Sequence, residues 1–163
     1  MEYVHLPQFT ERNLWQDAFD LTYNAELQIH QGVTPTVELP EMRQFLLNVK
    51  NAHDRGELYS IAAIEDGEYV GHCNATKIFG EWEIGVVIAD PKRWKRGTGL
   101  RMARQMLHWI YDNNDVTWVV AFTQGMTDDM RSLMPRIGFE PFNYMTKNMH
   151  ILHRDTFDAK WRR

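Results

Sequence analysis

The sequence predicts an α+β domain in three layers, with a mostly antiparallel sheet of six or seven strands flanked by about four helices. Three observations lead there. Residues 58–89 hold three apolar runs separated by short glycine-containing turns, the pattern of an antiparallel meander. Apolar residues before and after that block recur at helical spacing. The 163 residues suit a single domain over 1–163, and no linker, internal repeat or low-complexity segment divides them.

Taken in order, "EYVHLPQF" (2–9) reads as an opening strand. Thr10 is placed to cap a helix over 11–30, with Leu14, Ala18, Leu21 and Ala25 on one face. One glycine and two prolines make 31–40 a loop, and Pro40 suits the first turn of a second helix that ends at Gly56. Met42, Phe45, Leu46 and Val49 form its apolar stripe. The meander follows as strands 58–64, 69–78 and 81–89, turning at Gly67 and at "FGEW". Helical spacing returns over 100–112 with Leu100, Ala103, Leu107 and Ile110. "VTWVVAF" (116–122) is apolar almost throughout, as a strand covered on both faces must be. A helix over 127–136 stops before Gly138, one or two strands come from "FNYMTKNMHIL", and "KWRR" reads as a frayed tail.

Composition narrows the function classes. No apolar run approaches the roughly 18 residues of a membrane span. The amino terminus lacks a basic flank and a long apolar core, so it does not read as a secretory signal. A single cysteine, Cys73, excludes an internal disulfide and fits a reducing cytoplasm. A net charge of −4 argues against a dedicated nucleic-acid binder. Histidine and cysteine nowhere stand at metal-ligand spacing, so no metal is expected. Cys73 reads as a small core residue, and His72, His108, His150 and His153 as structural or exposed.

The chemistry concentrates in "ADPKRWKRGTGLRMARQML" (89–107), between a strand and a helix. Gly97 and Gly99 permit a tight turn and a close approach to its N–H groups. Those N–H groups stand at a helix start, where unpaired donors and the helix dipole favour an anion. Lys92, Arg93, Lys95, Arg96, Arg101 and Arg104 fall in a window without an acid, which suits a compact polyanion such as a diphosphate. P-loop spacing is absent, and Met102 stands where a dinucleotide fingerprint needs its third glycine. A plain strand-to-helix turn with a solvated basic face is the competing reading.

Pro91, followed by "WKRGTG" at the start of a helix after the fourth strand, resembles the signature of the GCN5-related N-acetyltransferase (GNAT) superfamily. The order of elements over nearly the whole chain and the "RIGF" junction (136–139) are similar to that family as well. The resemblance implies a single acyl-CoA-binding domain with acetyl-CoA as donor. It implies a diphosphate held by the amides of Lys95, Arg96, Gly97, Thr98, Gly99 and Leu100, and pantetheine paired with strand backbone near Val86, Val87 and Ile88. Arg93, Arg96 and Arg101 are the cations offered to the ribose phosphate. Trp94 occupies the family's Arg/Gln position, which removes one polar contact.

Attack on a thioester requires a neutral amine, and an amine with pKa near 10.4 is uncharged about once in a few thousand molecules at pH 7. Glu83, eleven residues before Trp94, matches the glutamate several histone-type members use as general base. Strand alternation groups it with Gly85 and Val87, opposite Trp82, Ile84, Val86 and Ile88. Burial among apolar neighbours raises such a carboxyl. Glu81 is the fallback, and an ordinary acid at a strand start is the bland alternative. The family's usual tyrosine acid falls on Met134, a frequent asparagine on Thr127, and Tyr144 is the nearby candidate acid.

The resemblance places the acceptor between the first two helices and the later strands. Residues 11–60 carry eight acids against four bases, which favours a cationic acceptor, with Glu38 and Glu41 as contacts. The expected activity is acetyl transfer to a primary amine of a small molecule or protein by direct attack in a ternary complex. A GNAT-shaped binding or structural protein without catalysis is the alternative. A homodimer is left open.

Overall fold

In a computed structural model, residues 1–6, 12–94, 96–123, 128–142 and 148–162 are described. Seven strands among them form one sheet in the order β1-β2-β3-β4-β5-β7-β6. They are β1 (Glu2–His5), β2 (Leu58–Glu65), β3 (Glu68–Ile78), β4 (Glu81–Ile88), β5 (Trp118–Phe122), β6 (Glu140–Pro141) and β7 (Met149–His153). Every pairing is antiparallel except β4 with β5, as predicted for a mostly antiparallel α+β sheet. The meander follows the sequence closely because its two turns are tight. Asp66–Gly67 and Phe79–Gly80 both take positive φ, the handedness that matches twisted antiparallel strands. Among the described residues no helix is long and apolar enough to cross a membrane.

Alternation along the strands sorts the core into two layers. Ile61, Ala63, Cys73, Ala75, Trp82 and Ile84 face α4 (Thr98–Asn113), whose Met102, Ala103, Met106, Leu107 and Ile110 are fully buried. Ala62, between two residues of the first set, faces the other way onto Ala18 of α1 (Arg12–Thr22). α3 (Met42–Asp54) joins that second layer through Phe45, edge-on to Phe19 at 5.4 Å and to Tyr23 at 6.0 Å. With both faces covered, β2 is buried continuously at Ile61, Ala62 and Ala63.

Several boundaries differ from expectation, each for a local reason. The opening strand is described only to His5. The long first helix is two: Asn24 turns extended, and its side chain accepts the Leu27 N–H at 3.0 Å to start α2 (Ala25–His30). The buried Gln28 amide then fastens α2 to the loop after it. It donates to Thr22 O at 3.0 Å and Thr36 Oγ1 at 3.1 Å, and accepts the Thr36 N–H at 3.0 Å. Pro40 precedes the α3 cap at Glu41 rather than lying inside the first turn. The helix expected at 127–136 breaks at Ser132 into α5 (Asp128–Arg131) and α6 (Leu133–Ile137), where Pro135 sits in a first turn that needs no N–H from it.

The carboxyl end is not a frayed tail. Residues Arg154–Trp161 form α7, with Phe157 fully buried and the Trp161 indole donating to Ile137 O at 2.9 Å. Arg154 ties this helix to the end of α4. Its guanidinium donates to Val116 O at 3.0 Å, Tyr111 O at 2.8 Å and Asn114 O at 2.7 Å, and lies 5.0 Å from the Tyr111 ring centre. One planar cation thus satisfies carbonyls left open where α4 stops. Arg154→Lys, which keeps the charge and loses the fork, is expected to lower unfolding free energy by roughly 2–4 kcal/mol in urea titration.

Candidate functional site

The site begins where two neighbouring strands part. β3 and β4 stay in register from Ile78↔Glu81 to Gly71↔Ile88, whereas β4 and β5 share the one pairing Glu83↔Val120. Beyond Glu83 no strand pairs with the outer edge of β4 among the described residues. The Ala89 N–H donates to Val70 O at 2.8 Å, which fixes the inner edge. By the two-residue period Val87 also points inward, and the N–H and C=O of Val86 and Ile88 point into the opening. Gly71 makes the inner contact feasible: a Cβ there would stand 2.1 Å from Val87 O. Of the three residues expected to offer backbone groups to a ligand, Val86 and Ile88 face the gap and Val87 faces β3.

Two side chains already reach that edge. Gln31 Nε2 donates to Val86 O at 3.4 Å, and the Trp94 indole N–H donates to Ile88 O at 3.4 Å. His30 stacks on Trp94 with ring centres 4.2 Å apart. Trp94 therefore replaces a polar side chain by an aromatic one that binds the strand end and α2 together.

Next to this edge α4 begins. Gly97 takes left-handed φ (79°) as its cap, and the first helical bond runs from Arg101 N–H to Gly97 O at 3.0 Å. The N–H groups of Thr98, Gly99 and Leu100 precede that bond and have no acceptor one turn back. Gly99 must be small, since a Cβ there would already lie 3.4 Å from both Ile88 Cδ1 and Leu133 Cδ2. Strand edge and helix start together bound a cleft. Leu27, His30 and Gln31 of the α2 region line one side, and Ser132, Leu133 and Arg136 another. No Asp or Glu lines it among the described residues. Such a cleft accepts an extended ligand with amide groups along its stem and negative charge at the helix end.

Of the cations singled out in the sequence, Arg93 and Arg104 are held elsewhere. Arg93 pairs with Glu65, and with Glu68 at 3.8 Å, which ties the loop to the β2–β3 turn. Arg101 donates to Thr98 Oγ1 at 3.3 Å, and Arg104 lies over the Trp161 ring at 5.3 Å. Lys92 and Arg96 are exposed. Lys95, Thr127 and Tyr144 lie outside the described residues.

Glu83 sits at the fork itself, half-buried, opposite Thr76 of β3 and Val120 of β5. Desolvation raises its carboxyl above the ordinary value. Met134 is buried in the core rather than exposed to the cleft. Cys73 is fully buried and its thiol is pushed up by burial. His72, buried and joined through Nδ1 to the Tyr69 hydroxyl at 2.6 Å, is pushed down to about 4 by desolvation. Both are structural residues. No group of acids, histidines and cysteines among the described residues could hold a metal ion. Sequence reasoning missed His30, Gln31 and Arg136. Ser132, Leu133 and Arg136 did carry a signal, since their spacing puts them on one helical face.

The description "Acetyltransferase (GNAT) domain" matches residues 6–140. Among curated proteins none matches by sequence. Solved structures match along nearly the whole chain. An aminoglycoside acetyltransferase, solved with coenzyme A, is 12% identical with a TM-score of 0.74, over 98% of this chain and 99% of its own. A spermidine N-acetyltransferase from Vibrio cholerae, solved with CoA and spermine, is 10% identical with a TM-score of 0.72, over 95% and 97%. A ribosomal-protein-alanine N-acetyltransferase from Brucella melitensis is 14% identical with a TM-score of 0.69, over 93% and 96%. At these identities the structures speak for the fold alone. The family match and the parted strands beside a glycine-started helix agree: this chain belongs to the GNAT acetyltransferase family.

Proposed function

We propose that the protein transfers an acetyl group from acetyl-CoA to a primary amine by direct attack within a ternary complex. The observation that carries this reading is a cleft, without acids among its described lining residues, in which the open edge of β4 meets the first-turn amides of α4. An acyl-CoA has matching chemistry along its length: a diphosphate for the amides of Gly97, Thr98, Gly99 and Leu100, and amide groups for Val86 and Ile88. Three related folds, solved with or named for CoA, polyamine and protein-amine substrates, lend support.

In this reading Glu83 is the general base. Its carboxylate takes a proton from the acceptor ammonium as the nitrogen attacks, and its raised pKa brings it closer to working pH. The leaving thiolate needs no acid, since a thiol with pKa near 8.5 leaves as a stable anion at little cost. The local excess of acid over 11–60, with Glu38 and Glu41 exposed near the loop, supports a cationic acceptor.

A second reading, a GNAT fold that binds donor without turnover, is favoured by one observation. Met134, where the family's usual tyrosine acid would stand, is buried in the core. The two readings separate in one assay. Calorimetry is expected to give donor binding in roughly the 1 μM–1 mM range, and thiol release is expected with at least one amine of a broad panel. Donor binding with no thiol release from any amine supports the second reading.

Glu83→Gln is expected to lower kcat by about 10²–10⁴-fold and to abolish the acidic limb of the pH–rate profile. Its effect on stability has the opposite sign. A carboxyl raised in the folded state binds more protons there than in the unfolded chain, so stability falls as pH rises from the ordinary carboxylate pKa through the raised one. Glu83→Gln is therefore expected to melt higher than wild type at neutral pH, with the difference vanishing in acid below both values.

A further inference from the structure

The cleft poses an electrostatic question that the basic run of 92–104 does not answer. Among the described residues, none of that run's charged side chains lines it. Arg93 is engaged by Glu65 and Glu68 and Arg104 lies over the Trp161 ring, whereas Arg101 stays at the start of α4 and donates to Thr98 Oγ1. The permanently charged side chain that does line the cleft is Arg136, from α6. It is exposed, and no ion pair or hydrogen bond joins it to another described residue.

Its position is fixed by what lies one turn earlier. Leu133 is in contact range of Gly99, so the face of α6 bearing Ser132, Leu133 and Arg136 stands directly across from the start of α4. The α4 amides supply partial positive charge from one wall, and Arg136 supplies a full charge from the other. Among the described residues no carboxylate lines the cleft to neutralise that guanidinium. An arginine in such a place recognises phosphate, because its planar donors match phosphate oxygens two at a time.

We propose that Arg136 is a donor-binding residue that pairs with a phosphate group of the acyl carrier, completing from α6 the anion site that α4 begins. This rests on the reading of the cleft as an acetyl-CoA site. It adds a cation from the later helix to those that the basic run offers.

The test is a charge series read by calorimetry with acetyl-CoA, each variant first checked for an unchanged melting temperature. Dissociation constants are expected to rise in the order wild type, R136K, R136Q, R136E, with R136Q weaker by roughly 10–100-fold. Repeating the series with acetyl-dephospho-CoA identifies the phosphate. A loss that persists assigns Arg136 to the diphosphate, and a loss that disappears assigns it to the ribose phosphate. Constants within twofold of wild type across the series, or a loss equal for R136K, R136Q and R136E, would overturn the proposal. A wild-type protein that binds no acetyl-CoA overturns the donor reading itself, an outcome distinct from a flat charge series.

Discussion

The separation of β4 from β5 after a single pairing is the constraint on which the rest of the site depends. A sheet normally satisfies both edges of an interior strand, and an unpaired edge inside a protein has to find other partners. Here one edge of β4 is held firmly by β3, with Gly71 admitting the close approach of Val87 O. The other edge is released toward the cleft. Without the firm inner pairing the free edge would not be presented at a fixed place, and without its release there would be no cleft for α4 to close.

The electrostatics of the cleft run against those of the chain. The protein carries net charge −4, yet the cleft is lined among the described residues by aliphatic, aromatic and neutral polar groups and by Arg136, with no acid. Much of the basic run contributes instead to architecture. Arg93 fastens the loop to the β2–β3 turn, and Arg104 packs against the last helix. Backbone therefore supplies most of the anion-attracting character near α4. Such groups hold their orientation without side-chain ordering, whereas six long basic side chains would each lose rotamer freedom on binding.

How much of this was legible in the sequence depended on whether the signal was local. The meander was, because glycine-containing turns set both its lengths and its register. The glycine-started helix was too, because Gly97 and Gly99 have a narrow set of uses. The break at Asn24 was not, since asparagine is tolerated within a helix and acts as a cap only when the chain turns there. α7 was missed because Phe157 and Trp161 give only one apolar pair over a polar segment, and its anchor, Arg154, works through carbonyls distant in sequence. At the site, Glu83 and the edge residues came from the family resemblance, which did not separate Val87, facing β3, from Val86 and Ile88. The contributions of His30 and Gln31 depend on how separate elements meet, which spacing along one element does not encode.

The amide of Gln28 has a mechanical consequence. By gripping Thr22 on one side and Thr36 on the other, it turns a short helix and its trailing loop into one stiff body. That body touches the free strand edge through Gln31 and the indole of Trp94 through His30. A molecule that displaced Gln31 would therefore shift residues as far as Thr36 along with it. The segment from Thr22 to Thr36 is thus tied together at the point where Leu27, His30 and Gln31 line the cleft.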